Sequence, residues 1–508
     1  MFCHILSSTI QGISSAPVTI ELDISSGMPV FVMVGSVSPK VRESQDRVRT
    51  ALRNIDIHLP PKRITLNLAP GDVKKDGTQF DLPIAASLLI ALEKIPENSL
   101  NDCMVLGELH LNGEIAPVPG VLPGIITARK LGIKTCVIPY ENAAEAAAID
   151  DIRVIGLNNL SELIEYCNNP TLDKFVYKSS LKDLPNNSYP DFADIKGQPG
   201  VKRAALIAAS GFHNLLLSGP PGSGKSMTAK RIPGIMPSLT KDEQIEVSQI
   251  YSVSGLLNTD TPLIQARPYR SPHHLLSPQA LCGGGKIPSP GEITLAHRGV
   301  LFIDELPEMP GRTLDQLRAP LEEHSILVSR IQGSYRFPAN FLFVAAMNPC
   351  PCGYYPDMNR CHCSVGEIHS YLSKISHPIL DRIDLRVDVP AASYDDLTSS
   401  KKDSISSAVL REQVLKAFNI QQDRYSKCGI HFNSELDVSD IKKYCATSDE
   451  ASRLLSAAYS KLGLSARGYH RILKISRTIA DLDSSDLICE PHVSEAFCFR
   501  NQSAIPEF

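Results

Sequence analysis

At 508 residues the chain is too long for one hydrophobic core, and two to four domains are expected. Its 51 basic and 55 acidic residues leave a formal charge of −4, which excludes a global positive field, so any contact with nucleic acid has to come from a local basic face. The opening Met1-Phe2-Cys3-His4-Ile5-Leu6 has no basic n-region and the longest nearly apolar run, Leu82 to Leu92, is too short to cross a bilayer; a soluble, cytoplasmic chain with no membrane partner is expected.

Val18-Thr19-Ile20-Glu21-Leu22-Asp23 and Arg63-Ile64-Thr65-Leu66-Asn67-Leu68 alternate apolar and polar residues as half-buried strands do, and Pro29 to Gly35 is a third strand candidate. Between them, Val41, Val48 and Leu52 fall near one face of a helix over 41–52. Then come Lys75-Asp76-Gly77-Thr78-Gln79-Phe80-Asp81, an apolar helix from Leu82 to Leu92, and Leu131-Gly132-Ile133-Lys134-Thr135-Cys136-Val137-Ile138-Pro139. The mixture predicts an α+β domain over 1–168. Residues 169–190 are polar and bounded by prolines, the composition of a linker.

After a helical stretch from Val201 to Ser210, Asn214 to Ser218 reads as a short buried strand. Gly219-Pro220-Pro221-Gly222-Ser223-Gly224-Lys225-Ser226 then follows the G-x-x-x-x-G-K-[ST] pattern, with a helix beginning near Lys225. A glycine-rich turn can match by chance, but strand, turn and helix in this order argue for a polyphosphate site. The glycines let backbone N–H groups face one concavity, Lys225 supplies a cation for the β- and γ-phosphates, and Ser226 offers a hydroxyl to Mg²⁺. ATP and Mg²⁺ are therefore the expected ligands.

Gly299-Val300-Leu301-Phe302-Ile303-Asp304-Glu305 is an apolar run ending in two acids, as in a central parallel strand whose C-terminal end faces a nucleotide. Asp304 is read as the magnesium ligand and Glu305 as the group that polarises the attacking water. Phe341 to Met347 is a further apolar strand ending at Asn348. Asn348 is placed to bond the γ-phosphate or the attacking water, but an Asn before Pro349 is also an ordinary turn starter, and both readings stand.

Of the 13 cysteines, Cys350, Cys352, Cys361 and Cys363 crowd together just after Asn348. Four thiolates close a tetrahedral Zn²⁺ site with no open position, so structural zinc is expected in an insert over 349–364, with unligated thiols as the alternative and His362 able to replace one cysteine. Beyond Tyr394, Val409 to Phe418, Arg453 to Leu462 and Arg471 to Leu482 recur at helical spacing and predict a helical region over 395–508. Arg471, Lys474 and Arg477 read there as a solvated helix face.

Lys75-Asp76-Gly77 and the 131–139 strand resemble the proteolytic domain of Lon proteases. On that match the nucleophile position holds Gln79 and the general-base lysine falls at about Leu122, so the resemblance implies a Lon-like scaffold without peptidase chemistry, which needs hydroxyl and base together. The three strand ends, closing on Lys225, Asp304 and Asn348, resemble the AAA+ ATPases. An insert over 267–286 and two hairpin-like arms, Leu321 to Arg330 and Gly333 to Pro338, narrow the match to their magnesium-chelatase-like branch.

With the Lon-like part in front, nearly the whole chain resembles the magnesium-chelatase-like AAA+ ATPases of the ComM/YifB type. The resemblance implies an α/β multidomain protein: a Lon-protease-like α+β domain, a P-loop core over 191–394 carrying the zinc insert, and an α-helical lid. It further implies a hexameric ring of identical chains that acts as a DNA helicase in branch migration, on single-stranded or branched DNA, during natural transformation or recombination. Arg382 becomes the arginine finger reaching a neighbour's γ-phosphate and Arg467 the sensor arginine of the lid. From its own surroundings Arg382 has a second reading, a pair with Asp381 or Asp384. Lys286, beside Gly283-Gly284-Gly285, and Arg330 and Arg336 of the hairpin are the DNA-contact candidates. A chelatase motor subunit and an ATP-driven protein remodeller are the competing functions.

Overall fold

The computed structural model describes residues 2–178, 189–257, 261–285, 288–330, 333–391, 405–461 and 464–500. Among them no helix is long and apolar enough to cross a membrane.

The N-terminal part is built on a seven-stranded mixed sheet. Its spatial order is Val30–Val34, Arg63–Ala69, Ser14–Ser25, Phe2–Gln11, Cys103–Val105, Thr135–Pro139 and Arg153–Leu157. The alternation in 18–23 and 63–68 is realised directly: Val18, Ile20, Leu22, Leu66 and Leu68 are fully buried. Helices Pro39–Asn54 and Asp81–Ala91 pack into the same core as those side chains. Val121–Lys130 contributes instead to a second cluster with Cys136 and Ile138.

Residues 169–178, read from sequence as the start of a linker, belong to this sheet's surroundings. Phe175 is buried edge-on to Tyr166, and the N–H of Tyr177 donates to the carbonyl of Val154 at 2.9 Å. Residues 179–188 lie outside the described residues.

The second sheet is parallel throughout, with the order Tyr269–Arg270, Val300–Ile303, Leu342–Met347, Leu215–Ser218 and Leu385–Asp388. The three middle strands are buried along their full length, which is why they read as unbroken apolar runs. Helices Pro199–Gly211 and Lys225–Ile235 bury Ala205, Ile207, Ala229 and Ile232 in the same core as this sheet.

The described C-terminal helices are Ser407–Tyr425, Val438–Tyr444, Asp449–Lys461, Ala466–Leu482 and Glu490–Arg500. The expected solvated face at Arg471, Lys474 and Arg477 is overturned. Arg477 is buried against Asp481 at 3.0 Å, Lys474 donates to the carbonyl of Ser434 at 2.8 Å, and Arg471 stands 3.3 Å from Asp384. Arg471 ties the helical region to the sheet through Asp384, just before strand Leu385–Asp388, whereas Arg477 pairs one turn along its own helix and Lys474 bonds within the helical region; periodicity does not show which of these faces is covered.

Contacts in two regions join the N-terminal part to the half built on the parallel sheet. The first runs along helix Lys241–Val253, where Lys241 Nζ donates to Asp150 Oδ2 at 2.6 Å. The start of helix Val121–Lys130 meets the end of helix Lys241–Val253: Gly120 N–H donates to Ser252 O at 2.9 Å and Leu122 N–H to Ser252 Oγ at 3.3 Å. The second lies at Gly12, in the turn between the first two strands, which packs against Tyr335 of the hairpin formed by Ser325–Arg330 and Gly333–Pro338.

Candidate functional site

Sheet register brings the three strand ends together. Ser218 pairs with Met347, so the phosphate loop and Asn348 leave the sheet side by side, and Gly219 N–H donates to Met347 O at 3.2 Å. Ile303 pairs with Ala345 on the next strand, which carries Asp304 to the same edge. This is the C-terminal edge of a parallel sheet at the point where strand order reverses, where α/β sheets bind ligands.

Gly222 and Gly224 take φ of +75° and +91°, a conformation costly for side chains, and Lys225 opens its helix. The Lys225 ammonium donates to Gly219 O (2.7 Å), Pro220 O (2.9 Å) and Asn348 Oδ1 (3.2 Å). Burial pushes its pKa below the usual lysine value, with Asp304 and Glu305 pulling the other way. Ser223 Oγ is buried in the loop with no partner among the described residues, an acceptor-seeking hydroxyl where a phosphate oxygen fits.

Ser226 Oγ donates to Asp304 Oδ2 at 2.7 Å. Adjacent oxygens around octahedral Mg²⁺ lie about 2.9 Å apart, so this pair can form one edge of such a shell. Pro220, Pro221 and the glycines line the loop without offering side-chain donors.

Glu305 takes φ of +51°, unfavourable for a glutamate and the sort of strain that gathers at working sites. His274 Nδ1 lies 3.1 Å from Glu305 Oε2. Sequence reasoning attached no role to His274; only the pairing of Tyr269–Arg270 with Val300–Leu301 brings its loop beside the acid-bearing strand. Gln198 was missed as well: its Nε2 donates to Ser223 O (2.9 Å) and Pro390 O (2.8 Å), bridging the phosphate loop to the last strand.

Arg382 and Arg467 meet elsewhere. Asn214, at the N-terminal end of strand Leu215–Ser218, donates through Nδ2 to Arg382 O at 2.8 Å. The phosphate loop leaves the other end of that strand, about 13 Å away at the usual rise. The expected alternative pair of Arg382 with Asp381 or Asp384 is not formed: its guanidinium bonds Glu322 and, at 2.7 Å, Pro378 O. Arg467 Nη2 donates to the other oxygen of the same Glu322 carboxylate at 2.9 Å. A cavity of ≈ 510 Å³ opens here, its lining including Glu322, Arg382, Arg467, His470, Arg471 and Lys474.

The four Sγ atoms of Cys350, Cys352, Cys361 and Cys363 lie within 4.8 Å of one another. Separations of 3.3, 3.6 and 3.8 Å among the first three come up to the roughly 3.8 Å edge of a tetrahedron with 2.3 Å Zn–S bonds. Gly353 and Tyr355 N–H groups point at Cys350 Sγ from 3.2 and 3.4 Å, as expected around a thiolate.

Among the DNA-contact candidates, Arg330 Nε donates to Gly285 O at 3.2 Å, joining the hairpin to the glycine loop. Arg336 is held at 3.4 Å by Ser325 Oγ on the opposite strand. Lys286 lies outside the described residues. In the Lon-like part, Gln79 Nε2 donates to Asp76 O at 2.9 Å, and Leu122 is fully buried.

Three family models match: Magnesium chelatase, subunit ChlI, over residues 191–397; Subunit ChlI of Mg-chelatase, over 20–142; and Magnesium chelatase, subunit ChlI C-terminal, over 404–500. The chain is 42% identical over 501 residues to Competence protein ComM of Haemophilus influenzae, spanning 98% of this chain and 97% of that one. It is 40% identical over 493 residues to the YifB protein of Salmonella typhimurium, spanning 96% and 95%. Similarity to Lon protease 2 of Bacillus subtilis is 33% over 150 residues, 28% of this chain and 27% of the protease.

Proposed function

The chain belongs to the magnesium-chelatase-like proteins of the ComM/YifB type, a family related to the AAA+ ATPases, and on that premise we propose that it is an ATP-driven DNA translocase. In this reading identical chains form a hexameric ring that moves DNA branches in natural transformation or homologous recombination. The carrying observation is the meeting of Lys225, Ser226, Asp304 and Asn348 at three adjacent strand ends.

Lys225 and the loop N–H groups bind the phosphates; Asn348 and Glu305 orient the attacking water, with Glu305 drawing its proton. Ser226 and Asp304 would hold Mg²⁺, which would supply positive charge against the phosphoryl oxygens. Arg382 and Arg467, at the far end of strand Leu215–Ser218 from their own phosphate loop, serve a neighbouring chain's γ-phosphate. Cys350, Cys352, Cys361 and Cys363 would hold a structural zinc, which would cross-link the segment after Asn348. The surface where Arg330 meets Gly285 follows the DNA backbone, and Lys286, next in sequence, and Arg336 are further contacts to it. The Lon-like part, with Gln79 and Leu122 at its catalytic positions, works as a scaffold without peptidase activity.

The test is ATP turnover with and without branched DNA, with strand displacement scored in the same reaction and Glu305→Gln as control. Stimulated turnover with ATP-dependent displacement supports the reading. Absence of both DNA binding and displacement where rings form overturns it and favours protein remodelling.

A further inference from the structure

Glu322 is the one carboxylate, among the described residues, within ion-pair distance of both Arg382 and Arg467. It stands on the short helix Pro320–Glu323, and the hairpin strand Ser325–Arg330 begins two residues later. The connection is stiff: His324 N–H donates to Pro320 O at 3.0 Å, and Ala339 N–H, just past the returning strand, donates to His324 O at 2.8 Å. At the other end of the hairpin, about 17 Å away at the usual rise per residue, Arg330 holds Gly285.

One side chain thus links two arginines at the foot of strand Leu215–Ser218 to the hairpin that carries DNA-contact candidates. The site is built for exchange. The Glu322 and Arg467 side chains are 50% and 60% exposed, so solvent screens their pair, whereas a triphosphate offers a guanidinium several oxygens and more charge. Arg382, only 14% exposed, keeps a second bond to Pro378 O that fixes its direction while its other nitrogen changes partner.

We infer that Glu322 is the positioning residue that times Arg382 and Arg467: it holds both guanidinia until a neighbour's triphosphate takes them, and their departure frees its helix and the hairpin behind it. This rests on the neighbour-directed reading of the two arginines. Nucleotide arrival at one chain then reaches the DNA-facing hairpin of the next through a single exchange of ion pairs, with no covalent step. Conversely, DNA that displaces the hairpin loosens Glu322 and releases the arginines, which makes turnover responsive to DNA.

The experiment is steady-state ATP turnover by the full chain, with and without branched DNA, for wild type, Glu322→Gln, Arg382→Ala, Arg467→Ala and the Glu322→Gln/Arg382→Ala double variant. Glu322→Gln keeps shape but removes the charge that holds the arginines. DNA-free turnover should rise about five-fold, the low end of usual coupling between sites, while the DNA-stimulated rate stays close to wild type, so the stimulation ratio collapses. A structural role would lower both rates and the melting temperature together. The double variant should be as inactive as Arg382→Ala alone. A stimulation ratio unchanged in Glu322→Gln, or DNA-free turnover that falls with melting unchanged, overturns the role of Glu322. Full turnover in Arg382→Ala and Arg467→Ala instead overturns the neighbour-directed reading beneath it.

Discussion

A β-carbon on Gly353 would stand 2.5 Å from Cδ of Pro221, so the turn of the cysteine cluster is seated directly on the phosphate loop. Gly353 lies between Cys352 and the loop that returns to Cys361, and Cys350 follows Asn348 by two residues. A metal that fixed those cysteines would therefore also fix one wall of the proposed nucleotide site. One zinc per chain is expected by elemental analysis. Its removal by chelation, or Cys361→Ser, should lower the melting midpoint and weaken nucleotide binding roughly ten-fold, about 1.4 kcal/mol. Gly353→Ala should weaken nucleotide binding with zinc still bound, because the added methyl pushes Pro221 while the four thiols remain. Metal loss with unchanged nucleotide affinity would refute the coupling.

Lys225 and Glu305 should fail in different ways. Lys225 lies inside the loop and bonds Asn348, so Lys225→Ala should remove nucleotide affinity together with turnover. Glu305 is half-exposed and held by His274, away from the phosphate-binding atoms. Glu305→Gln should keep nucleotide binding within a few-fold while turnover falls by about 10² or more. Binding by a fluorescent ATP analogue alongside phosphate release separates the two, and equal loss of affinity in both variants would remove Glu305 from the role of water-activating base.

Much of this was legible because the strands that carry the candidate nucleotide site are unbroken apolar runs closing on polar residues, and the parallel sheet delivers those ends to one edge. The first strand, Phe2–Gln11, escaped notice because its buried positions include Ser7, Ser8 and Thr9, polar residues that erase the alternation. Helix Lys241–Val253 hid for a similar reason, burying Glu243, Ser248 and Ser252, although Thr240 and Glu243 form a capping box readable as T-x-x-E. His274 and Glu322 were visible as residues but not as partners. Each gains its role from a contact made by sheet pairing or by a helix more than a hundred residues later, which no local pattern carries.

If Arg382 serves a neighbour's nucleotide, two dead chains should revive each other. Lys225→Ala lacks a working phosphate loop but keeps its arginines; Arg382→Ala has the reverse defect. In rings mixed at equal amounts, about one boundary in four joins an intact loop to an intact arginine across a head-to-tail interface. Turnover should therefore recover to about a quarter of wild type. Mixtures no more active than the separate variants, under conditions where subunits exchange, would mean that Arg382 does not act across the boundary.

Glu145 gives the contact between the two halves a pH dependence. It is 5% exposed, accepts from Ser252 Oγ at 2.7 Å and from Asn142 Nδ2 at 2.7 Å, and sits beside the backbone of Leu122. Burial raises its pKa above the usual glutamate value, and the hydrogen bonds from Ser252 and Asn142 offset only part of that. Below the unfolded chain's pKa the carboxyl is neutral in both states, and its contribution to stability is fully present. As pH rises, the unfolded chain loses the proton first, so that stability is lost through the folded pKa. Glu145→Gln should fit: Asn142, oriented by Val118, can donate to the new amide oxygen, and Ser252 Oγ can accept from its nitrogen. The variant should melt close to wild type near pH 4 and higher than wild type at pH 7.5, by on the order of 1 kcal/mol. A difference between the two proteins that stays constant across that range would show that the buried carboxyl does not change its protonation with the fold.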